Sequence, residues 1–478
     1  MVSRSAKAPS ALKASTFANM KATLALGTFA ALATSLAGCD TTAKPQPQTP
    51  PSQTAAGADS APAPAQGPAS SASSPGSMTP SAVPSLPAPT AAEAAAFAKA
   101  NNAFAFDLYR PIGKAGGKAG GNLAFSPASI STALAMTWGG AVGPTSDEMR
   151  KMLHFEGSAE EVLTSAGKVA ADLQRGDALV LAIANRLFGE KTFTFQKPYL
   201  DSTEKLFGAP LEPVDFAGAP DPARQHINQW VAGRTKDRIK DLIPASGIDG
   251  ETRLVLVNAV YFLADWAEPF DKSATTDLSF WANGKTEKPV PTMRRSAAMP
   301  FAEVDGTQLV ELPYVGGRFS MLVVVPAQRD GLPALEAKLD VARFDSWVKA
   351  LATEQVFLSM PKFEIDPPSS IALRDALQSL GMKTAFLRGQ ADFSKIADPP
   401  RPADRLFVGN VFHKAFVKVD EKGTEAAAAT AVVMPRGGGA PKKARQLAVD
   451  RPFLFFLRDR TTGTILFVGR VVDPSGKG

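Results

Sequence analysis

From Ala91 onward, apolar residues recur at two different spacings. Phe97 to Tyr109 (F-A-K-A-N-N-A-F-A-F-D-L-Y) carries them at helical spacing. Gly113 to Gly121 is rich in glycine and lysine and predicts a loop. Asn122 to Met136 predicts a helix behind Ser126-Pro127, with serine as the cap and proline in the first turn. Leu181 to Gly189 alternates like a strand. His226 to Ile243 predicts an amphipathic helix running into a turn. Arg253 to Trp266 (R-L-V-L-V-N-A-V-Y-F-L-A-D-W) is a continuous apolar run, the pattern of a strand buried on both faces. Strand runs and amphipathic helices occur without regular βαβ alternation. The fold class expected is therefore mixed α+β, not a doubly wound sheet.

The chain before this region has a different texture. Residues 40 to about 90 are dominated by Pro, Ala, Ser, Gln and Thr, with almost no bulky apolar residue. Such a stretch cannot bury enough surface to offset its conformational entropy and predicts a disordered linker, 39–90. Before it, Arg4, Lys7, Lys13 and Lys21 lead into the apolar run Ala22 to Leu36, too short to span a bilayer. That run ends L-A-G-C, which resembles the lipobox of bacterial lipoproteins. The resemblance implies a signal peptide over 1–38, a lipid on Cys39, and a protein anchored in the cell envelope on its periplasmic or outer side. Met20 would make a tidier start for such a signal than Met1. Cys39 is the single cysteine, so no disulfide forms within the chain and no cysteine serves catalysis or metal binding in the folded domain, 91–478. The net charge of +6 includes those four cations of the signal, which no acid offsets. The remaining +2, without a basic stripe interleaved with aromatics, gives no warrant for nucleic-acid binding.

Enzymatic signatures are missing. The sequence has no G-x-S-x-G elbow, no H-E-x-x-H pair and no P-loop, and its three histidines (His154, His226, His413) are scattered. Neither a cofactor nor a metal is expected. A lone histidine in a strand-like segment such as His413 is more often a structural residue than a catalyst.

The most unusual stretch is Glu421 to Val433 (E-K-G-T-E-A-A-A-A-T-A-V-V). Thr424 to Ala431 carries one charge and no large side chain. Propensity alone reads Ala426 to Ala429 as helix, short and stopped by Pro435. The other reading is a segment built to enter a sheet. In that case Thr424, Ala426, Ala428, Thr430 and Val432 share one face, and Gly423 supplies a hinge.

With its flanks, V-F-H-K-A-F-V-K-V-D (Val411 to Asp420) and Asp450 to Pro474, this stretch resembles the reactive-loop hinge of the serpins, a family of peptidase inhibitors. Further matches occur in order: Val310 to Tyr314, Met360 to Ile365, Leu380 to Phe386 and Ala391 to Ile396. Leu263-Ala264 departs from the family's usual Lys-Gly. The resemblance covers about 95 to 474. It implies the serpin fold, with mixed sheets, about eight or nine helices and an exposed reactive loop at about 421–447. It also implies a monomer that is no enzyme but a suicide substrate of a serine protease. The loop is cut, the enzyme is held as an acyl-enzyme, and the freed arm inserts into a sheet. The hinge would be Glu421, Gly423, Thr424, Glu425, Ala426, Ala427, Ala428, Ala429 and Thr430. The sheet-opening gate would be Ser126, Ser129, Asn258, Trp266 and His413. The commoner family spacing from Glu421 places the reactive bond at Gly437-Gly438, and a hinge one residue shorter places it at Arg436-Gly437. Chemistry favours Arg436, which fits a trypsin-like pocket, whereas glycine fills none. Lys442, Lys443 and Arg445 lie too far along for clean trapping. The alternative expectation is a non-inhibitory serpin-fold binding or assembly protein of the envelope.

Overall fold

The computed structural model describes residues 84–115, 120–175, 179–424 and 444–476. All belong to the larger of the two units into which the chain divides, Ser77–Gly478. Among the described residues are nine α-helices, three short 3-10 helices and three sheets of nine, six and two strands.

The first helix runs Ala91–Ala115, longer than the spacing predicts. Thr90 and Glu93 cap its start reciprocally, the Glu93 amide donating to Thr90 Oγ1 and the Thr90 amide to Glu93 Oε2. It continues past Pro111 into the segment expected to be loop. Ile112 is buried, and Arg470 donates to the Gly113 carbonyl at 3.3 Å. The helix behind Ser126-Pro127 spans Pro127–Gly139, and the Ser126 side chain accepts from the Ser129 amide. Every residue from Pro127 to Trp138 is buried, so this is a core helix rather than an amphipathic one. The helix expected from His226 begins earlier and ends earlier, Pro220–Arg234. Pro220 and Pro222 suit its first turn, while Lys236 and Asp237 adopt positive φ and stop it. The chain to Ile243 is then tied back irregularly: Asn228 donates to the Ile243 carbonyl and accepts from its amide, both at 2.9 Å.

The continuous apolar run forms the strand Leu254–Asp265, central in the six-stranded sheet. It pairs antiparallel with Leu179–Glu190 over its whole length. Alternation along it separates two cores. Val260, Phe262 and Ala264 face the main core with the helix Pro127–Gly139; Val257 and Ala259 face a smaller cluster with Ile227 and Trp230 of the helix Pro220–Arg234. The sheet is thus covered on both faces, as its apolar composition requires.

The nine-stranded sheet is built around the hairpin Phe453–Asp459 and Ile465–Val471, every residue of which is buried. The hairpin sits between Leu123–Phe125 and Phe319–Val325. Beyond the undescribed 425–443, the strand Arg445–Ala448 pairs parallel with Ala352–Pro361, and Arg445 pairs with Glu354 at 2.9 Å.

Candidate functional site

The strand Ala415–Val419 lies beside Leu254–Asp265 in the six-stranded sheet. The two touch directly at only two rungs, Ala415 with Val260 and Phe416 with Tyr261, in parallel. Towards the Asp265 end, here the upper end, the chain turns at Asp420 to Lys422 and re-enters the sheet as the short strand Gly423–Thr424. That strand is wedged between the two: Thr424 pairs with Val419 on one side and Ala264 on the other, and Gly423 pairs with Asp265. Gly423 and Thr424, two of the residues expected to form the hinge, are therefore in the sheet, antiparallel to the long strand.

Gly423 owes its place to close approach. A Cβ there would lie 2.1 Å from the Ala264 carbonyl oxygen and 2.7 Å from the Asp265 Cα. Its φ is not in the left-handed region, so conformational freedom at a hinge is not what selects glycine. Thr424 is fully buried and shares a 2.7 Å hydrogen bond with the Tyr314 hydroxyl. Burial raises the Tyr314 pKa, so the phenol stays protonated. Trp266 stacks on Tyr314, ring centroids 4.5 Å apart and planes 9° off parallel. Its indole donates to the Asp420 carbonyl at 3.0 Å, and its amide donates to the Lys422 carbonyl at 2.8 Å. The turn is thus held on three sides.

Glu421 closes the arrangement. It is buried, ion-paired with Lys362 at 2.9 Å, and accepts from Thr275 Oγ1 at 2.8 Å. Burial alone would raise its pKa, but hydrogen bonds from Lys362, the backbone and Thr275 outweigh that and hold it below the ordinary carboxylate value.

The lower cluster is neutral. His413, buried in the short strand Phe412–His413, accepts the Ser126 amide through Nε2 at 3.0 Å. Burial lowers its pKa to about 3, so the ring is uncharged at neutral pH. The Ser129 amide donates to Ser126 Oγ at 3.2 Å. Ser126, Ser129 and His413 therefore meet beneath the sheet, while Trp266 belongs to the upper end with the hinge. Asn258 pairs with Asn185 across the two long strands, but its side chain lies outside the described residues. So do Glu425 to Thr430 of the hinge, Arg436, Gly437 and Gly438 of the reactive bond, and Cys39.

Tyr314, Lys362 and Thr275 do not stand out in the sequence as site residues. Lys362 has a signal, being the lone cation in an otherwise strand-like M-P-K-F-E-I. Tyr314 and Thr275 have none, because their roles depend on contacts across more than a hundred residues. Among the described residues no cluster of His, Cys, Asp and Glu suits a metal ion, and no helix is long and apolar enough to cross a membrane.

The model of the family Serpin (serine protease inhibitor) matches residues 99–474. The chain is a serpin. It is 37% identical over 379 residues to the leukocyte elastase inhibitor of Xenopus laevis, covering 78% of this chain and 97% of that one. It is 38% identical over 396 residues to human Serpin B3, covering 79% and 99%. Among solved structures, Serpin48 of the insect Tenebrio molitor superposes with a TM-score of 0.69 at 32% identity, covering 79% of this chain and 98% of that one. The serpin fold, α+β with mixed sheets, is the one expected. The strand that carries the departure Leu263-Ala264 keeps its place in the sheet.

Proposed function

We propose that this serpin inhibits a serine peptidase of trypsin-like specificity by cleavage, acyl-enzyme trapping and loop insertion. The observation that carries the reading is the seating of Gly423 and Thr424 in the sheet. Their register against the long strand, continued downward, brings Ala426 opposite Phe262, Ala428 opposite Val260, Thr430 opposite Asn258 and Val432 opposite Leu256. Residues directly opposite share a face. Thr424, Ala426, Ala428 and Thr430 would thus enter the main-core face, where Phe262 packs against Tyr314 and Phe467. Small side chains are what that face can admit. The strand ends at Leu254, opposite Met434, so Arg436 would lie just past its lower end.

Insertion must part the Ala415–Val260 and Phe416–Tyr261 rungs. It forms about ten new ladder hydrogen bonds at ~1 kcal/mol each and buries methyl groups, on the order of 10 kcal/mol together. That is comparable with a domain's whole stability, enough to distort an attached protease before water completes hydrolysis. The Arg445–Ala448 strand holds the other side of the loop on the second sheet, so the two ends of a cut loop have different anchors.

Arg436 is the residue proposed to enter the protease pocket. Incubation with trypsin should yield an SDS-stable complex, with mass spectrometry showing a C-terminal peptide that begins at Gly437. Arg436→Ala should abolish the complex and leave the fold intact. A peptide beginning at Gly438 would move the bond. Cleavage without a complex by every protease of a panel would favour a non-inhibitory binding role.

The cell-envelope location rests on the N-terminal sequence, which precedes the family match at residue 99. We propose a lipid on Cys39 and a linker that holds the inhibitor off the membrane. Cys39→Ala should remove labelled fatty-acid uptake and detergent partitioning; unchanged partitioning would overturn the anchor.

A further inference from the structure

Below the Ala415–Val260 rung the central strands separate. Phe412–His413 pairs instead with Ile371–Ala372, and among the described residues no strand pairs with the lower end of Leu254–Asp265 on that side. A cavity of about 630 Å³ opens there, a size suited to a small ligand. Leu134 of the core helix, Leu254, Leu256 and Phe412 give it an apolar surface.

Its lining also carries five arginines against three acids. Arg388 and Arg401 are matched by Glu251 at 2.8 Å and Asp404 at 2.6 Å. Arg253, Arg374 and Arg405 also line the cavity, and none forms an ion pair among the described residues. Arg253 donates to backbone carbonyls, and Arg374 donates to backbone carbonyls and lies over the Phe386 ring. The Nε of Arg405 is buried without a hydrogen-bond partner among the described residues, and its charge helps to hold the Asp392 carboxyl below its ordinary value. The remaining lining acid, Asp249, is engaged by the Glu251 amide and the Thr252 hydroxyl of its own turn. Guanidinium groups without a carboxylate within ion-pair distance fit an oxyanion as partner.

We propose that this cavity binds a small amphiphilic anion: a carboxylate that satisfies Arg405 and its neighbours, on an aliphatic body lying along Leu254, Leu256 and Phe412. The regulatory consequence rests on the insertion reading above. The continued register brings Val432 to Met434 opposite Leu256 to Leu254, into the same space. Ligand and fully inserted arm therefore exclude each other, and the occupied protein is cut as a substrate instead of trapping its protease.

The test is calorimetric titration of the intact protein with sodium decanoate and with decan-1-ol. Expected are saturable one-to-one binding of decanoate, at least ~10-fold weaker binding of the alcohol, and at least ~10-fold weaker decanoate binding by Arg405→Gln. Equal binding of acid and alcohol, or no saturable binding, overturns the site. The ligand comparison uses the wild-type protein, so its outcome does not depend on how the variant folds. Protein cut within 425–443 should lose decanoate binding. If it binds as well as the intact form, the anion site stands and the insertion reading falls.

Discussion

The two ends of the central strands are built on opposite plans. At the upper end the gap between Val419 and Ala264 is filled by the chain's own Gly423 and Thr424, and the polar groups that hold the turn are matched: Glu421 by Lys362 and Thr275, Thr424 by Tyr314, the Trp266 indole by Asp420, while Asp265 Oδ1 is buried without a hydrogen-bond partner among the described residues. At the lower end the gap is a cavity, and the one histidine nearby is kept uncharged. On the insertion reading proposed above, a sheet filled above, joined at two rungs in the middle and open below has its first step taken and its last position vacant, and the closed rungs, rather than the hinge, are what the arm would have to overcome.

The contrast is broken most severely at Thr424. Thr424→Arg would put a charge without a partner where the wild-type side chain is fully buried. The expected outcome is at least a ~100-fold loss of covalent complex while the loop is still cut. Cleaved wild type should melt on the order of 15 °C above the intact form, and the cleaved variant should not. Normal trapping by the variant, or an unchanged melting point on cleavage, would sink the insertion mechanism.

His413 sharpens the lower half. Its folded pKa lies below its ordinary value of 6.5, at about 3. Between those two values the unfolded chain binds the extra proton, so stability falls as pH falls, by about 1.4 kcal/mol per pH unit. His413→Gln keeps an acceptor for the Ser126 amide but does not titrate. Its denaturation midpoint should fall less steeply from pH 6 to pH 4 than that of wild type. Parallel profiles would show that the histidine does not carry the acid sensitivity.

The smallest effect is expected at Tyr314. Tyr314→Phe removes one hydrogen bond to Thr424 and keeps the stack on Trp266, a cost of about 1 kcal/mol. Hydrogen exchange at the Thr424 amide should accelerate several-fold while the rungs at Val260 and Tyr261 exchange as before. Equal acceleration at both places would mean that the two ends open together.

Much of this is legible in the residues. The apolar run Arg253 to Trp266 has the pattern of a doubly covered strand and forms one, and Ser126-Pro127 marks a helix start correctly. What stays hidden depends on distant contacts. The end of the helix before Lys236 is set by backbone conformations that amphipathic spacing does not encode. The extension past Pro111 depends on an arginine near the other end of the chain. Gly423 stands out in the sequence as a hinge, yet glycine is required there for a different reason, since its neighbour Ala264 lies more than a hundred and fifty residues away. The latch partners Tyr314, Lys362 and Thr275 belong to the same class.

The buried hairpin near the C-terminus has a consequence for what a cut would look like in the tube. Every residue from Phe453 to Asp459 and from Ile465 to Val471 is interior, flanked on both sides by strands from earlier in the chain. A peptide beginning at Gly437 would carry that hairpin with it and would have no way to leave without dismantling the second sheet. The cleaved inhibitor would remain one particle of unchanged native mass, a tight pair of unequal chains. Only denaturant would reveal that the backbone had been severed.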